Sequence, residues 1–140
     1  MKIHSRLIIF LGATVLSIGT SATAQDAFLG KQEFIDRCSV CHGETGGGDG
    51  LVGELFAQRP KNLRLLAKEN DGVFPFASVY ESIDGRRDIT AHGRTEMPIW
   101  GNYLTAEALE GRGIDPDDAR LVVEARILAL VQYIQSIQVP

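Results

Sequence analysis

Cys38-Ser39-Val40-Cys41-His42 constrains this chain more than any other stretch, because it holds both of its cysteines and follows them directly with a histidine. The pattern is C-x-x-C-H, the spacing at which two thiols add as thioethers to the two vinyl groups of one haem. Two intervening residues let both sulfurs reach one edge of a porphyrin. The next residue, His42, then stands where its imidazole can bind the iron from one face. Two other chemistries share the cysteine pair: a redox-active dithiol and half of a zinc site. A zinc site of three or four cysteines lacks its third. A finger of two cysteines and two histidines needs a close histidine pair downstream, where only His92 stands. A thioredoxin-like dithiol is expected beside a βαβ pattern, and none is evident. The motif therefore points to one covalently bound haem c, which consumes both cysteines and leaves no disulfide.

The start of the chain agrees with that chemistry. Lys2 and Arg6 precede an apolar stretch from Leu7 to Ile18, and Ala22-Thr23-Ala24 is an A-x-A site. This reads as a signal peptide over residues 1–24, cleaved before Gln25, with a periplasmic product. The apolar stretch is short for an uncleaved membrane anchor. Residues 25–140 then form one domain with a modest core, much of whose apolar centre a haem would supply. Losing Lys2 and Arg6, and no acid, takes the 14 basic and 18 acidic residues to a net charge of −6. That balance argues against nucleic acid and suits a partner with a basic docking patch.

Along the mature chain the pattern is all-α, with no strand alternation of useful length. A first helix is expected from about Ala27 to Cys38, with Gly30, Phe34 and Cys38 on one face. Gly43 to Gly53 is a glycine-rich loop, suited to left-handed turns and to close passage past a flat ligand. It lacks the ending of a phosphate loop. Asn62 to Glu69 and Ala77 to Ile83 read as short helices, and Asp84 to Tyr103 as mostly loop. Asp115, Pro116, Asp117 and Asp118 mark the start of a last helix. Its apolar stripe is Val123, Ile127, Leu130, Ile134 and Ile137.

An iron bound by His42 has one more axial position. Met97 is the only methionine of the mature chain and lies 55 residues after His42, far enough to cover the opposite face of a haem. Pro98 disfavours helix at Met97 and stiffens an extended loop there. A thioether ligand favours Fe(II) and raises the potential. The bland alternative for Met97 is core filler. His92 is the competing ligand, otherwise an ordinary loop histidine.

With C-x-x-C-H followed by a Met-Pro loop, the chain resembles the class I cytochromes c over essentially all of residues 27–137. Gly30-x-x-x-Phe34-x-x-x-Cys38 looks like the family's N-terminal helix, and Leu130-x-x-Tyr133 like the matching pair on the C-terminal helix that crosses it. Cys41-His42-Gly43 with Gly48-Asp49-Gly50, and Met97-Pro98-Ile99-Trp100-Gly101, are similar to bacterial members. The resemblance implies short helices and loops wrapped around one covalent haem. Pro60-Lys61-Asn62-Leu63 resembles the family's Pro-Asn-Leu turn with one extra residue, which implies that the Pro60 carbonyl accepts a hydrogen bond from the His42 ring. Trp100 is expected at the haem periphery, donating to a propionate or simply packing. Arg86, Arg87 and Arg94 are candidates for pairing with the propionates, against a default of solvated loop arginines. Residues 64–90 and 105–114 exceed the smallest members.

The function implied is one-electron transfer in the periplasm by a monomeric carrier, not an enzyme. Its redox protein partners would dock briefly, and any membrane contact would be transient docking to membrane complexes. A cytochrome subunit or dedicated acceptor of a periplasmic dehydrogenase shares the chemistry, with residues 105–114 as the place for its stable contact. A haem enzyme or gas sensor needs an open iron site, which Met97 would close.

Overall fold

In the computed structural model the described residues are 22–86 and 97–140, with side chains from Phe28 onward. Most of the expected signal peptide, together with Arg87, His92 and Arg94, lies outside them. The fold is all-α: among the described residues there are helices and turns and no strand. None of these helices is long and apolar enough to cross a membrane.

Five α-helices are present: α1 (Ala22–Arg37), α2 (Ser39–His42), α3 (Phe76–Asp84), α4 (Trp100–Ala106) and α5 (Pro116–Ser136). α1 begins upstream of the expected Ala27 and ends just before Cys38. α5 begins as its sequence dictates. Pro116 occupies the first turn, and the Asp115 carboxylate accepts the Asp117 N–H at 3.0 Å, satisfying one orphan donor. Val123, Ile127, Leu130 and Ile134 are all buried along one stripe of α5, and Ile137 is half-buried just past its end.

α1 packs across α5, and the core lies between them and α3 and α4. Phe34 is fully buried, its ring 5.2 Å from that of Tyr133. At Gly30 the helices touch backbone to side-chain stem: a β-carbon there would run into the Ala129 carbonyl and lie 3.0 Å from Tyr133 Cβ. Gly30→Ala is therefore expected to destabilise by about 1–3 kcal/mol through overpacking. Alanine's better helix propensity, worth about 1 kcal/mol, only partly offsets this. Urea unfolding checks it, and a more stable variant would mean the helices can part without cost.

The stretch expected as mostly loop, Asp84 to Tyr103, contains α4 from Trp100 onward. Pro98 and Gly101 argue against helix locally, but packing decides. The Gly101 position is crowded by Asp84 and by the Arg86 guanidinium, so glycine is required there whatever its propensity. α4 runs on into a π-turn, Glu107–Gly111, which returns the chain to α5. The stretch expected as a short helix at Asn62 to Glu69 is instead two 3₁₀ turns, Leu63–Leu65 and Lys68–Asn70. The Asn62 side chain caps the first by accepting the Arg64 N–H at 3.0 Å.

The π-turn also positions Glu107, whose carboxylate accepts from Arg37 at 2.7 Å and Arg112 at 3.1 Å. Arg126 lies 3.4 Å away. The Arg37 hydrogen bond, helped by the charges of Arg126 and Arg37, holds the Glu107 carboxyl down at about 2, against the opposing effect of burial. Because the folded value is the lower one, this contribution is complete above about pH 4.5 and is lost as the pH falls towards 2. Glu107→Gln is expected to flatten the pH dependence of unfolding free energy across that window. An acid slope identical to that of the parent would exclude Glu107 as its source.

Candidate haem attachment site

Cys38, Cys41 and His42 share one turn at the junction of α1 and α2. The N–H groups of Cys41 and His42 both donate to the Cys38 carbonyl, at 3.2 and 2.9 Å, so the three side chains leave one tight coil. Gly43 then ends the helix at φ 78°, a conformation that glycine adopts without strain.

The glycine-rich loop folds back onto this turn. Gly48 N–H donates to the His42 carbonyl at 2.8 Å, Gly50 N–H to that of Cys41 at 3.2 Å, and Val52 N–H to that of Val40 at 3.0 Å. A β-carbon at Gly50 would lie 2.5 Å from the Cys41 carbonyl carbon. The loop thus passes closely against the backbone of the Cys38–His42 turn.

The His42 ring is oriented by a backbone carbonyl. Its Nδ1 lies 3.3 Å from the Lys61 oxygen. A carbonyl can only accept, so Nδ1 carries the proton and Nε2 keeps a free lone pair. Burial pushes the His42 imidazole below its ordinary value and so favours the neutral ring, while the Lys61 hydrogen bond acts in the opposite direction. The acceptor is Lys61, one residue beyond the Pro60 named by resemblance. The Pro60 carbonyl faces Gly48 instead, so it points away from the His42 ring's acceptor position.

Burial, reinforced by the Glu33 charge, pushes the Cys38 thiol up to about 12. A dithiol of the thioredoxin kind, or a zinc thiolate, needs the opposite shift. The two cysteines are not joined to each other.

Met97 is half-buried and packs against the core, as do Trp100, Phe74, Tyr80, Leu66 and Cys38. The Trp100 ring meets Tyr103 edge to face at 5.5 Å. Arg86 Nε donates to the Asp84 carboxylate at 2.6 Å, and the pair packs over Gly101, next to Trp100 in sequence. Large apolar side chains at the margin of a core, half covered, are suited to a flat apolar group laid against them. The two thiols and the imidazole share one turn, and these, with a thioether such as Met97 carries, are donor types that fit a covalently held haem.

The ionic cluster of Glu33, Arg37, Glu107 and Arg126 was not legible as a functional feature. Arg126 donates twice to Glu33, at 2.7 and 3.0 Å, and both residues are buried. One signal was present: Arg126 falls at helical spacing between Val123, Ile127 and Leu130, and a charge on an apolar face needs a partner.

No protein-family model, curated protein or solved structure matches this chain.

Proposed function

We propose that this protein is a periplasmic one-electron carrier of the class I cytochrome c type, with one haem attached through Cys38 and Cys41. The observation that carries this reading is the placement of Cys38, Cys41 and His42 on one turn, with His42 Nδ1 facing the Lys61 carbonyl. A haem held here would supply one-electron chemistry at its iron, between Fe(III) and Fe(II). Cys38 and Cys41 would hold it by thioethers, and His42, steadied by the Lys61 carbonyl, and Met97 would be its protein ligands. Trp100, Leu66, Phe74 and Tyr80 shield the group, and Arg86, held by Asp84, offers positive charge towards a propionate.

The test is an optical spectrum of the purified holoprotein, oxidised and reduced, with and without carbon monoxide. The reading expects a low-spin c-type spectrum, a weak far-red sulfur-to-iron band and no response to carbon monoxide. A high-spin spectrum or ready carbon monoxide binding would replace the carrier by an enzyme or sensor with open iron.

A further inference from the structure

The residues that follow α5 do something specific to the loops around His42. The Gln138 side chain makes three hydrogen bonds. Its Nε2 donates to the Leu63 carbonyl at 2.7 Å and to the Ile134 carbonyl at 2.8 Å, and its Oε1 accepts the Ala67 N–H at 2.8 Å. One amide thus joins both sides of the Leu63–Leu65 turn to the last turn of α5. The backbone adds a fourth tie, Val139 N–H to the Arg64 carbonyl at 3.0 Å.

That turn leads directly to the His42 acceptor. Lys61 lies two residues before Leu63, and Leu63 N–H donates to the Gly46 carbonyl at 2.8 Å. Gly46 belongs to the loop whose Gly48 N–H holds the His42 carbonyl. Ile137 closes the same corner, because a β-carbon at Gly46 would lie 2.9 Å from Ile137 Cδ1. The 43–53 loop holds the His42 backbone, the 60–67 segment holds its ring, and residues 137–139 bind the two together.

We infer that Gln138 is a positioning residue for the axial histidine: through the Leu63–Ala67 turn it sets where the Lys61 carbonyl stands, and so how firmly His42 Nδ1–H is held. The inference rests on the proposed role of His42. A firmly held Nδ1–H makes the imidazole a stronger donor and favours Fe(III). Loosening it therefore moves the midpoint potential upward. The 3.3 Å separation at Lys61 is already long, so a small displacement of the turn weakens the bond steeply.

The experiment uses the holoprotein with Gln138→Ala and Gln138→Leu, and Val131→Ala as a control. Val131 is a fully buried α5 residue, so its truncation costs stability without touching this tie. Two quantities are read: the solvent-exchange rate of His42 Nδ1–H by NMR of the reduced protein, and the midpoint potential. Both Gln138 variants are expected to exchange at least tenfold faster. They should also shift the Fe(II)/Fe(III) preference about threefold, or ~28 mV upward at 59 mV per tenfold. The control should lose stability with both quantities unchanged. Parent-like exchange and potential in both Gln138 variants, with a low-spin spectrum, would overturn this inference while leaving the carrier reading intact. Equal shifts in the control would reduce Gln138 to a stabilising contact. A protein that carries no haem, or whose iron is open, would overturn the carrier reading and this inference with it.

Discussion

Arg126→Met is expected to lower the unfolding free energy by about 3–5 kcal/mol, the largest stability loss from any single exchange considered for this molecule. Arg126 keeps 5% of its surface exposed and Glu33 keeps 7%. The exchange removes two close hydrogen bonds and strands the Glu33 carboxylate between α1 and α5, away from water. Arg37 Nε lies 3.5 Å from that carboxylate and only partly compensates. Arg37 Nε and Arg126 Nη1 are already buried without a hydrogen-bond partner among the described residues, so the cluster works near the limit of its satisfied geometry. Pairing Arg126→Met with Glu33→Leu is expected to restore most of the loss, because it removes the uncompensated charge along with its partner. Urea unfolding of both variants decides the matter. A single exchange costing under about 1 kcal/mol would mean that water or Arg37 reaches Glu33 more easily than its burial indicates.

Met97→Ala is expected to change the spectrum and the potential far more than the fold. On the proposed reading the exchange leaves Cys38 and Cys41 untouched, so haem should remain attached. The sixth position should open and bind carbon monoxide. The potential should fall by a sizeable part of the ~0.8 V range over which axial ligands set it, because a sulfur donor that favours Fe(II) is lost. Met97 is half-buried against the core, so truncation should also cost about 1–2 kcal/mol, below the range for fully buried methionines. The two effects are separable: Met97→Leu keeps the packing and removes the ligand. If Met97→Leu retained the parent spectrum and potential, the sulfur would not be bound to iron, and Met97 would be ordinary core.

Elements whose signals are local were legible from the sequence. α5 is announced by Asp115 and Pro116 and carried by its stripe, and Gly30 and Phe34, placed on one face by their spacing, both meet α5. What was hidden depends on contacts distant in sequence. α4 survives a glycine because Asp84 and Arg86 fill the space beside it. The His42 acceptor is the carbonyl of Lys61, 19 residues away in sequence. The role of 105–114 lies in Glu107, whose partners are Arg37, 70 residues upstream, and Arg126 on the following helix. No window of local sequence contains that pairing.

The packing of α1 on α5 also sets an order of events for folding. Glu33 and Arg126 are 93 residues apart, and closing so long a loop in a flexible chain costs about 4 kcal/mol of entropy before any contact repays it. Neither helix buries its face without the other, so the molecule has no stable half. A group fastened at Cys38 and Cys41 and gripped by Met97 would divide that closure into two shorter ones. Attachment would then act as an internal scaffold, advancing the meeting of the two helices rather than waiting for it.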